Sequence, residues 1–194
     1  MLFVKERIKE GEFRNIMIDY KKYINEVQDF PENGISFKDI SPMLADRVIF
    51  KKVIDEMGNL VSPIWTDVPD YWVGIDSRGF IFASALSYAF GGGVVMCRKG
   101  GKLPPTVVHL EYGLEYGKDS LELKPGKGNV VIVDDVLATG GTLQTTNYLC
   151  KTAGYEVVDN LVLIDLLYIP RIFTALGDGV KTFDLEVKSL IQYE

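Results

Sequence analysis

A short stretch at residues 130–142 combines an apolar run, a pair of carboxylates and a loop rich in glycine and threonine. Four apolar residues in a row, mostly β-branched, are typical of a strand covered on both faces in a parallel sheet. Asp134 and Asp135 follow at the end of that strand, where α/β folds bind their ligands. Carboxylates accept hydrogen bonds from hydroxyls or approach Mg²⁺, and the N–H groups of a tight loop can surround a phosphate. The stretch therefore predicts a site for a sugar phosphate.

The residues after this loop predict the helix that would position it. Thr142 is a suitable N-cap, Thr146 and Leu149 recur at helical spacing, and Gly154 is a typical stop. The N-terminus of a helix would then face the loop. A helix N-terminus favours anions, which agrees with a phosphate at this position.

Strand and helix patterns alternate along the chain and predict a single α/β domain over residues 1–194, with a mainly parallel central sheet flanked by helices. The strands are expected at residues 72–75, 94–97, 130–133 and 157–166, and helices at 50–61 and 80–90. Tyr20, Tyr23, Ile24 and Val27 have helical spacing and predict an amphipathic helix in an N-terminal segment, residues 1–29. Residues 98–123 contain Pro104, Pro105 and several glycines, and they predict an excursion from the sheet that acts as a flexible lid loop.

Composition excludes several classes of protein. The net charge of −6 over 194 residues argues against a nucleic-acid binder, because such proteins neutralise phosphates with Lys and Arg. Residues 80–97 carry no charge, but three consecutive glycines divide them into a helix and a strand, so no membrane span is expected. Cys97 and Cys150 are too few for a disulfide framework and indicate a reduced, cytoplasmic setting. The only histidine, His109, has no Cys or His partner at metal-ligand spacing.

The 130–142 stretch resembles the phosphoribosyl-diphosphate (PRPP) signature of the type I phosphoribosyltransferases. Further segments, Phe30 to Pro42, Asp76 to Phe80, Arg98 to Pro104 and Leu114 to Gly117, resemble the adenine phosphoribosyltransferase family, and so does the C-terminal Leu-Ile-Gln-Tyr-Glu. The match runs in order over most of the chain. It implies the type I phosphoribosyltransferase fold, and transfer of the 5-phosphoribosyl group of PRPP to N9 of adenine to give AMP and diphosphate in purine salvage.

The resemblance also implies roles for individual residues. Asp134 and Asp135 would bind the ribose hydroxyls, and Glu115 would act near N7 of the purine, with Tyr116 covering the reacting centre when the lid closes. The turn at residues 76–79 would be the diphosphate loop and often has a cis peptide. The remaining contacts fall into three groups: Ala138, Thr139, Gly140, Gly141 and Thr142 for the 5-phosphate; Ser77, Arg78, Arg98, Lys99 and Lys102 for the diphosphate; and Ile35, Phe37, Lys38 and Leu166 for adenine.

Mg²⁺ is the expected cofactor, held chiefly by the oxygens of PRPP, with water linking it to Asp134 or Asp135. In the resembling family the arginine that matches Arg98 reaches the partner subunit's active site, which implies a homodimer. Two other functions stay open: transfer to hypoxanthine, guanine or xanthine, or a non-enzymatic PRPP-sensing regulator. The Leu-Glu-Tyr-Gly segment at 114–117 argues against the first. The acidic chain, without an evident basic recognition helix, argues against the second.

Overall fold

The computed structural model describes residues 18–61, 68–114, 117–171, 173–174, 180–181 and 185–194. Their helices are a 3₁₀ turn (Tyr20–Tyr23), α1 (Ser41–Ala45), α2 (Arg47–Val61), α3 (Gly79–Phe90) and α4 (Gly141–Thr152). Their strands are β1 (Asn25–Gln28), β2 (Ser36–Asp39), β3 (Tyr71–Ile75), β4 (Gly93–Lys99), β5 (Val108–Leu114), β6 (Gly117–Leu123), β7 (Gly128–Leu137), β8 (Tyr155–Leu166), β9 (Phe173–Thr174), β10 (Val180–Lys181) and β11 (Lys188–Tyr193). The chain divides into two compact units, one up to Met43 and one from Leu44.

In the N-terminal unit, β1 and β2 form an antiparallel hairpin in which Val27 lies opposite Phe37. The amphipathic helix predicted within residues 1–29 is therefore wrong for the described residues of this segment, 18–29. Only a single 3₁₀ turn forms, and Val27 is exposed rather than packed. The helical spacing of apolar residues carries no information about pairing between strands. The backbone N–H and C=O groups of β1 form hydrogen bonds with β2, and in a helix they would have formed them within the helix.

The second unit is built on a seven-stranded sheet in the order β11-β8-β7-β3-β4-β6-β5. The neighbouring strands from β11 to β4 are parallel, while β6 and β5 continue the sheet in antiparallel pairing. The four apolar residues at 130–133 have no exposed surface, as expected of a strand covered on both faces. The predicted mainly parallel α/β architecture is confirmed.

Helices α2, α3 and α4 pack beside this sheet. α3 contacts β3 and β7, α2 contacts α3, and α4 contacts β8. The helix predicted at 80–90 is confirmed as α3, and Phe82, Ala83 and Leu86 are its fully buried residues. Trp72 in β3 is also buried and donates its indole N–H to the carbonyl of Gly91 at 2.8 Å, which fixes the end of α3 to the start of β3. No helix among the described residues has the length and apolar character needed to cross a bilayer.

The segment predicted as a lid loop, residues 98–123, contains strands instead of an irregular excursion. It begins with the end of β4 and continues into the β5–β6 hairpin, and β6 pairs with β4 through Arg98 opposite Glu122 and Lys99 opposite Leu121. The alternation of Leu121, Glu122 and Leu123 explains the difference, because both leucines are buried in the core and period-two alternation favours a strand. Closure of this segment over a ligand stays a prediction.

Candidate active site

The parallel strands β7, β3 and β4 are neighbours, so their carboxyl ends meet at one edge of the sheet. Gly74 lies opposite Val133 on one side and opposite Met96 on the other. Within two residues further along these strands are Asp134, the turn that begins at Asp76, and Arg98. Local sequence therefore supplies three chemically active segments, and parallel pairing places them together.

The turn after β3 carries two ion pairs. Nη2 of Arg78 lies 2.8 Å from Oδ2 of Asp135, and Nε of Arg98 lies 3.3 Å from Oδ2 of Asp76. The peptide bond between Asp76 and Ser77 is cis, as the resemblance led us to expect. This turn therefore joins the ends of β4 and β7 through salt bridges and presents two guanidinium groups, each partly exposed, at one place.

Gly79, the first residue of α3, makes the closest approach in this region. A Cβ atom at Gly79 would lie 2.7 Å from the carbonyl oxygen of Val133 and 3.2 Å from Oδ1 of Asp134. A side chain at this position therefore cannot fit unless β7 or α3 moves. The absence of a side chain lets the helix start against the strand that carries the carboxylate pair.

Asp134 and Asp135 are held in a low-dielectric environment. Burial raises the pKa of Asp134 well above its ordinary range, and the adjacent Asp135 raises it further. Burial also raises the pKa of Asp135, although Arg78 opposes that shift. The backbone N–H of Asp135 donates to Oδ1 of Asp134 at 2.9 Å, which fixes the orientation of that carboxylate. The carboxylate pair is therefore easier to protonate than an ordinary aspartate, and Arg78 favours the charged form of Asp135.

The loop between β7 and α4 has the geometry of an anion site. Gly140 has a φ of +90°, which favours glycine, and its carbonyl accepts the N–H of Gln144 at 3.0 Å in the first turn of α4. A cavity of about 90 Å³ is lined by the loop residues 138–142 together with Asp134, Val136 and Val162. Thr142, predicted as the N-cap, lies instead inside the first turn, because the left-handed conformation of Gly140 starts the helix two residues earlier.

The end of β4 carries Arg98 and Lys99, the turn after it carries Lys102, and Glu122 of β6 organises that turn. Glu122 is 4% exposed, and its Oε1 accepts the backbone N–H groups of Lys102 at 2.7 Å and of Leu103 at 2.6 Å. Nη1 of Arg98 also donates to the carbonyl of Lys102 at 3.4 Å. Sequence reasoning missed Glu122, because an acidic residue in an alternating strand pattern usually faces solvent.

We expect a stability effect that depends on pH when Glu122 is replaced with Gln. Burial raises the pKa of Glu122, but hydrogen bonds from the amides of Leu103, Gly101 and Lys102 outweigh it and lower the pKa below its ordinary value. The folded state thus binds fewer protons than the unfolded state. The stabilisation is present above the unfolded pKa of about 4.3 and is lost as the pH falls through the folded pKa. The melting temperature of Glu122→Gln should therefore lie below that of the wild type at pH 7.

The difference in melting temperature should begin to close as the pH falls below the unfolded pKa and should vanish once the pH has passed the lower, folded pKa, where wild-type Glu122 also becomes neutral. Thermal unfolding of both proteins between pH 3 and pH 7 measures it. Glu156→Gln, at an exposed position on β8, is the matched control and should leave the melting temperature unchanged across the series. A difference between Glu122→Gln and the wild type that stays constant across this range would refute the assignment to ionisation.

Comparison with known proteins identifies the family to which this site belongs. Residues 49–167 match the phosphoribosyl transferase domain. The adenine phosphoribosyltransferase of Hydrogenovibrio crunogenus is 51% identical over 175 residues, which cover 89% of this chain and 95% of that protein. The chain belongs to the adenine phosphoribosyltransferase family.

Solved structures of adenine phosphoribosyltransferases share the fold. The enzyme from Thermoanaerobacter pseudethanolicus is 37% identical with a TM-score of 0.77, and the alignment covers 89% of this chain and 97% of that one. The enzyme from Saccharomyces cerevisiae, solved with an imino-altritol bisphosphate and adenine, is 34% identical with a TM-score of 0.73, over 77% of this chain and 88% of that one. The predicted type I phosphoribosyltransferase fold is thereby confirmed.

Other residues that resemblance to the adenine phosphoribosyltransferase family implicates lie apart from this cluster along the chain. Ile35, Phe37 and Lys38 belong to the N-terminal unit, where Lys38 is buried and its Nζ lies 2.9 Å from Oε2 of Glu26. Glu115 and Tyr116 lie outside the described residues. Their roles stay predictions.

Leu166, the remaining residue predicted to contact adenine, is buried at the end of β8. Asp165, the residue before it, lies opposite Leu137 of β7. Leu166 is thus placed beside the start of the loop at residues 138–142. The guanidinium of Arg171 contacts the carbonyl of Leu166 at 3.3 Å and also contacts Asp165. Sequence reasoning assigned no role to Arg171 or to any other residue beyond Leu167.

Among the described residues no group of three or more His, Cys, Asp or Glu side chains could hold a metal ion alone. His109 is exposed on β5. The donor set at the edge of the sheet nevertheless suits a Mg²⁺ ion that arrives with an adenine phosphoribosyltransferase substrate. Oδ2 of Asp135 is buried and accepts no hydrogen bond of good geometry, although Arg78 lies nearby. Hard carboxylate oxygens are the ligands, direct or through water, that Mg²⁺ prefers.

Proposed function

We propose that this chain transfers the 5-phosphoribosyl group of PRPP to N9 of adenine, producing AMP and diphosphate for purine salvage. The observation that carries the proposal is the cluster formed by the carboxylate pair, the glycine-rich loop and Arg78 at one edge of the sheet. Family membership narrows the acceptor to adenine. The cluster offers a complementary group to each part of PRPP: phosphate, ribose and diphosphate.

Each part of PRPP has a partner in this arrangement. The N–H groups of residues 138–142 and the hydroxyls of Thr139 and Thr142 bind the 5-phosphate at the N-terminus of α4. Asp134 and Asp135 accept the ribose hydroxyls. Five residues surround the diphosphate: Ser77, Arg78, Arg98, Lys99 and Lys102. Arg78 and Arg98 supply planar forks that match phosphate oxygens, and the lysines supply point charges.

The reaction breaks the bond between C1 of the ribose and a diphosphate oxygen, forms the bond from C1 to N9 of adenine, and releases the N9 proton. Positive charge develops on the ribose as the diphosphate leaves. Asp134 and Asp135 stabilise that charge because a backbone N–H and Arg78 hold their carboxylates in place. Glu115 acts near N7 of the purine and favours the loss of the N9 proton, while Tyr116 excludes water from the reacting centre.

Adenine binds through Ile35, Phe37, Lys38 and Leu166 in this proposal. The family resemblance assigns recognition of the base edge to the backbone of Ile35, stacking to Phe37 and an apolar contact to Leu166. Asp134 or Asp135 would hold Mg²⁺ through water, with the oxygens of PRPP as its chief ligands. When bound, it neutralises charge on the leaving diphosphate.

The functional unit is proposed to be a homodimer in the cytoplasm. α3 has no charged residue, yet it exposes Ile81 and Tyr88, and the neighbouring strand β4 exposes Val94 and Met96. Tyr88 is 94% exposed, which is unusual for an aromatic residue on an apolar helix. A second copy of the chain would cover this apolar face. Sedimentation of the wild type as a monomer would refute the proposed dimer, while Tyr88→Glu is expected to weaken the dimer.

Cys97 and Cys150 are both free and buried, which fits a reducing compartment.

The test is AMP formation from adenine and PRPP with Mg²⁺, beside hypoxanthine, guanine and xanthine. We expect turnover of adenine alone, and a reduced kcat for Glu115→Gln by about 100-fold or more, as is typical of a lost general acid–base group. Glu111→Gln, an exposed position on β5, is the matched control and should retain the wild-type rate. Preference for another base would identify the protein as a phosphoribosyltransferase for that base. Binding of PRPP without turnover of any base would favour a non-enzymatic regulator.

A further inference from the structure

Arg171 lies five residues after the end of β8 and contacts three parts of the chain. Its Nη1 donates to the carbonyl oxygens of Leu137, Ala138 and Leu166, and the distances to Leu137 and Leu166 are 3.4 and 3.3 Å. Its Nη2 donates to Oδ1 of Asp165. The Arg171 side chain is 20% exposed and that of Asp165 is 10% exposed, so the pair is largely removed from water. Arg171 thus joins the end of β7, the start of the phosphate loop and the end of β8.

The geometry of a peptide unit gives these contacts a consequence for the loop. In a trans peptide the C=O and the following N–H point in opposite directions. Neither the bond after Leu137 nor the bond after Ala138 is among the cis peptides of the described chain. When Arg171 holds those two carbonyls on its own side, the N–H groups of Ala138 and Thr139 are directed to the opposite side. These are the first two amides of the loop that surrounds the 90 Å³ cavity.

We propose that Arg171 is a positioning residue for the 5-phosphate loop, with Asp165 as the anchor that holds its guanidinium in place. This inference rests on the proposed function, because it assumes that residues 138–142 bind the 5-phosphate of PRPP. In this role Arg171 acts through the loop and not through a contact of its own with the substrate. It fixes two peptide planes, so the amides of the loop are aimed before the ligand arrives and little ordering entropy is lost on binding.

A guanidinium suits this role better than an ammonium group. Asp165 occupies one terminal nitrogen, Nη2, and leaves the other, Nη1, for the backbone carbonyls. The rigid plane keeps the two nitrogens at a fixed separation, so one fork spans a side chain and a loop. A lysine carries the same charge on a single nitrogen and cannot bind Asp165 and the loop carbonyls in the same geometry. Arg171→Lys therefore preserves the positive charge and removes the two-nitrogen fork that joins Asp165 to the loop.

Binding of ribose 5-phosphate and of diphosphate, each measured by calorimetry, tests the proposal. Ribose 5-phosphate uses the loop, whereas diphosphate uses the turn after β3. In Arg171→Lys and Arg171→Met we expect the Kd for ribose 5-phosphate to rise by about 10- to 100-fold, as for hydrogen bonds to a charged group, with the Kd for diphosphate unchanged. The KM for PRPP should rise by a similar factor, with a smaller change in kcat.

Lys188→Met is the matched control. Lys188 pairs with Asp159 on the same strand as Asp165, and the side chains of this pair are similarly buried. The control should lower the melting temperature and leave the affinity for ribose 5-phosphate unchanged. An equal loss of affinity for both ligands in the Arg171 variants, or no loss for either, would overturn the proposal. If Arg171→Met does not fold, Arg171→Lys decides between these outcomes. Neither binding measurement uses a purine, so a wild type that binds ribose 5-phosphate but fails to convert adenine would refute the proposed function alone.

Discussion

Replacing both Asp134 and Asp135 with Asn is expected to lower kcat for AMP formation by about 100- to 1,000-fold, the range found when a preorganised electrostatic group is removed. Asparagine has nearly the same shape as aspartate and keeps an acceptor for the N–H of Asp135, which bonds Oδ1 of Asp134 at 2.9 Å. The variant therefore loses negative charge beside the ribose while the local hydrogen bonding is retained. Initial rates with adenine and PRPP at saturating Mg²⁺ measure the effect.

The same residues predict the acid side of the pH profile. Burial raises the pKa of Asp134 and of Asp135, so the free enzyme takes up a proton there at a higher pH than an ordinary aspartate does. Because kcat/KM reports the ionisation of the free enzyme, it should fall with decreasing pH well above pH 4. The double variant cannot take up that proton, so its residual kcat/KM should lack this fall. A double variant that retains a wild-type rate would exclude the carboxylates from catalysis.

Gly79→Ala should destabilise the protein by about 1–3 kcal/mol, as overpacking of a close contact does. The new Cβ would lie 2.7 Å from the carbonyl oxygen of Val133, which is backbone and cannot rotate away. The strain outweighs the better helix propensity of alanine, which is worth about 1 kcal/mol at an interior position. Activity should fall as well, because relief of the contact moves β7, and with it Asp135, away from Arg78. Urea unfolding measures the stability.

Gly141→Ala is the control for this substitution, used for stability alone. Gly141 is also the first residue of a helix that follows a strand of the sheet, but a Cβ there would meet no atom within 4 Å. We expect its free energy of unfolding to be unchanged or slightly raised. Equal stability of Gly79→Ala and the wild type would mean that β7 and α3 separate at no cost, contrary to the close approach described above.

The parts of this fold that sequence predicts well are those determined by neighbouring residues. The buried run at 130–133 and the uncharged helix α3 have strong local signals, and the loop at 138–142 follows from its glycines. The prediction of an N-terminal helix was wrong because β1 forms its backbone hydrogen bonds with β2. The spacing of apolar residues does not indicate which strands pair. The β5–β6 hairpin was obscured by prolines and glycines that precede it, although Leu121 and Leu123 alternate clearly.

The residues that sequence missed act through contacts between distant parts of the chain. Glu122 binds the N–H of Lys102, 20 residues earlier, and Arg171 binds the carbonyl of Ala138, 33 residues earlier. Both recognise backbone atoms, which every residue has, so no pairing of residue types marks the contact in advance. The catalytic motif is visible in the sequence because its residue types are special. The groups that hold the motif in place become visible only in the folded chain.

The ion pair between Arg78 and Asp135 also determines how the site behaves among the many small anions of a cell. At distances well beyond 2.8 Å the two charges largely cancel, so their field falls off faster than that of a free arginine. Chloride and inorganic phosphate therefore meet little attraction on approach. PRPP can separate the pair because it offers a diphosphate to the guanidinium and hydroxyls to the carboxylate in the same encounter. The paired charges are thus expected to favour a ligand that offers both groups over a small anion that carries charge alone.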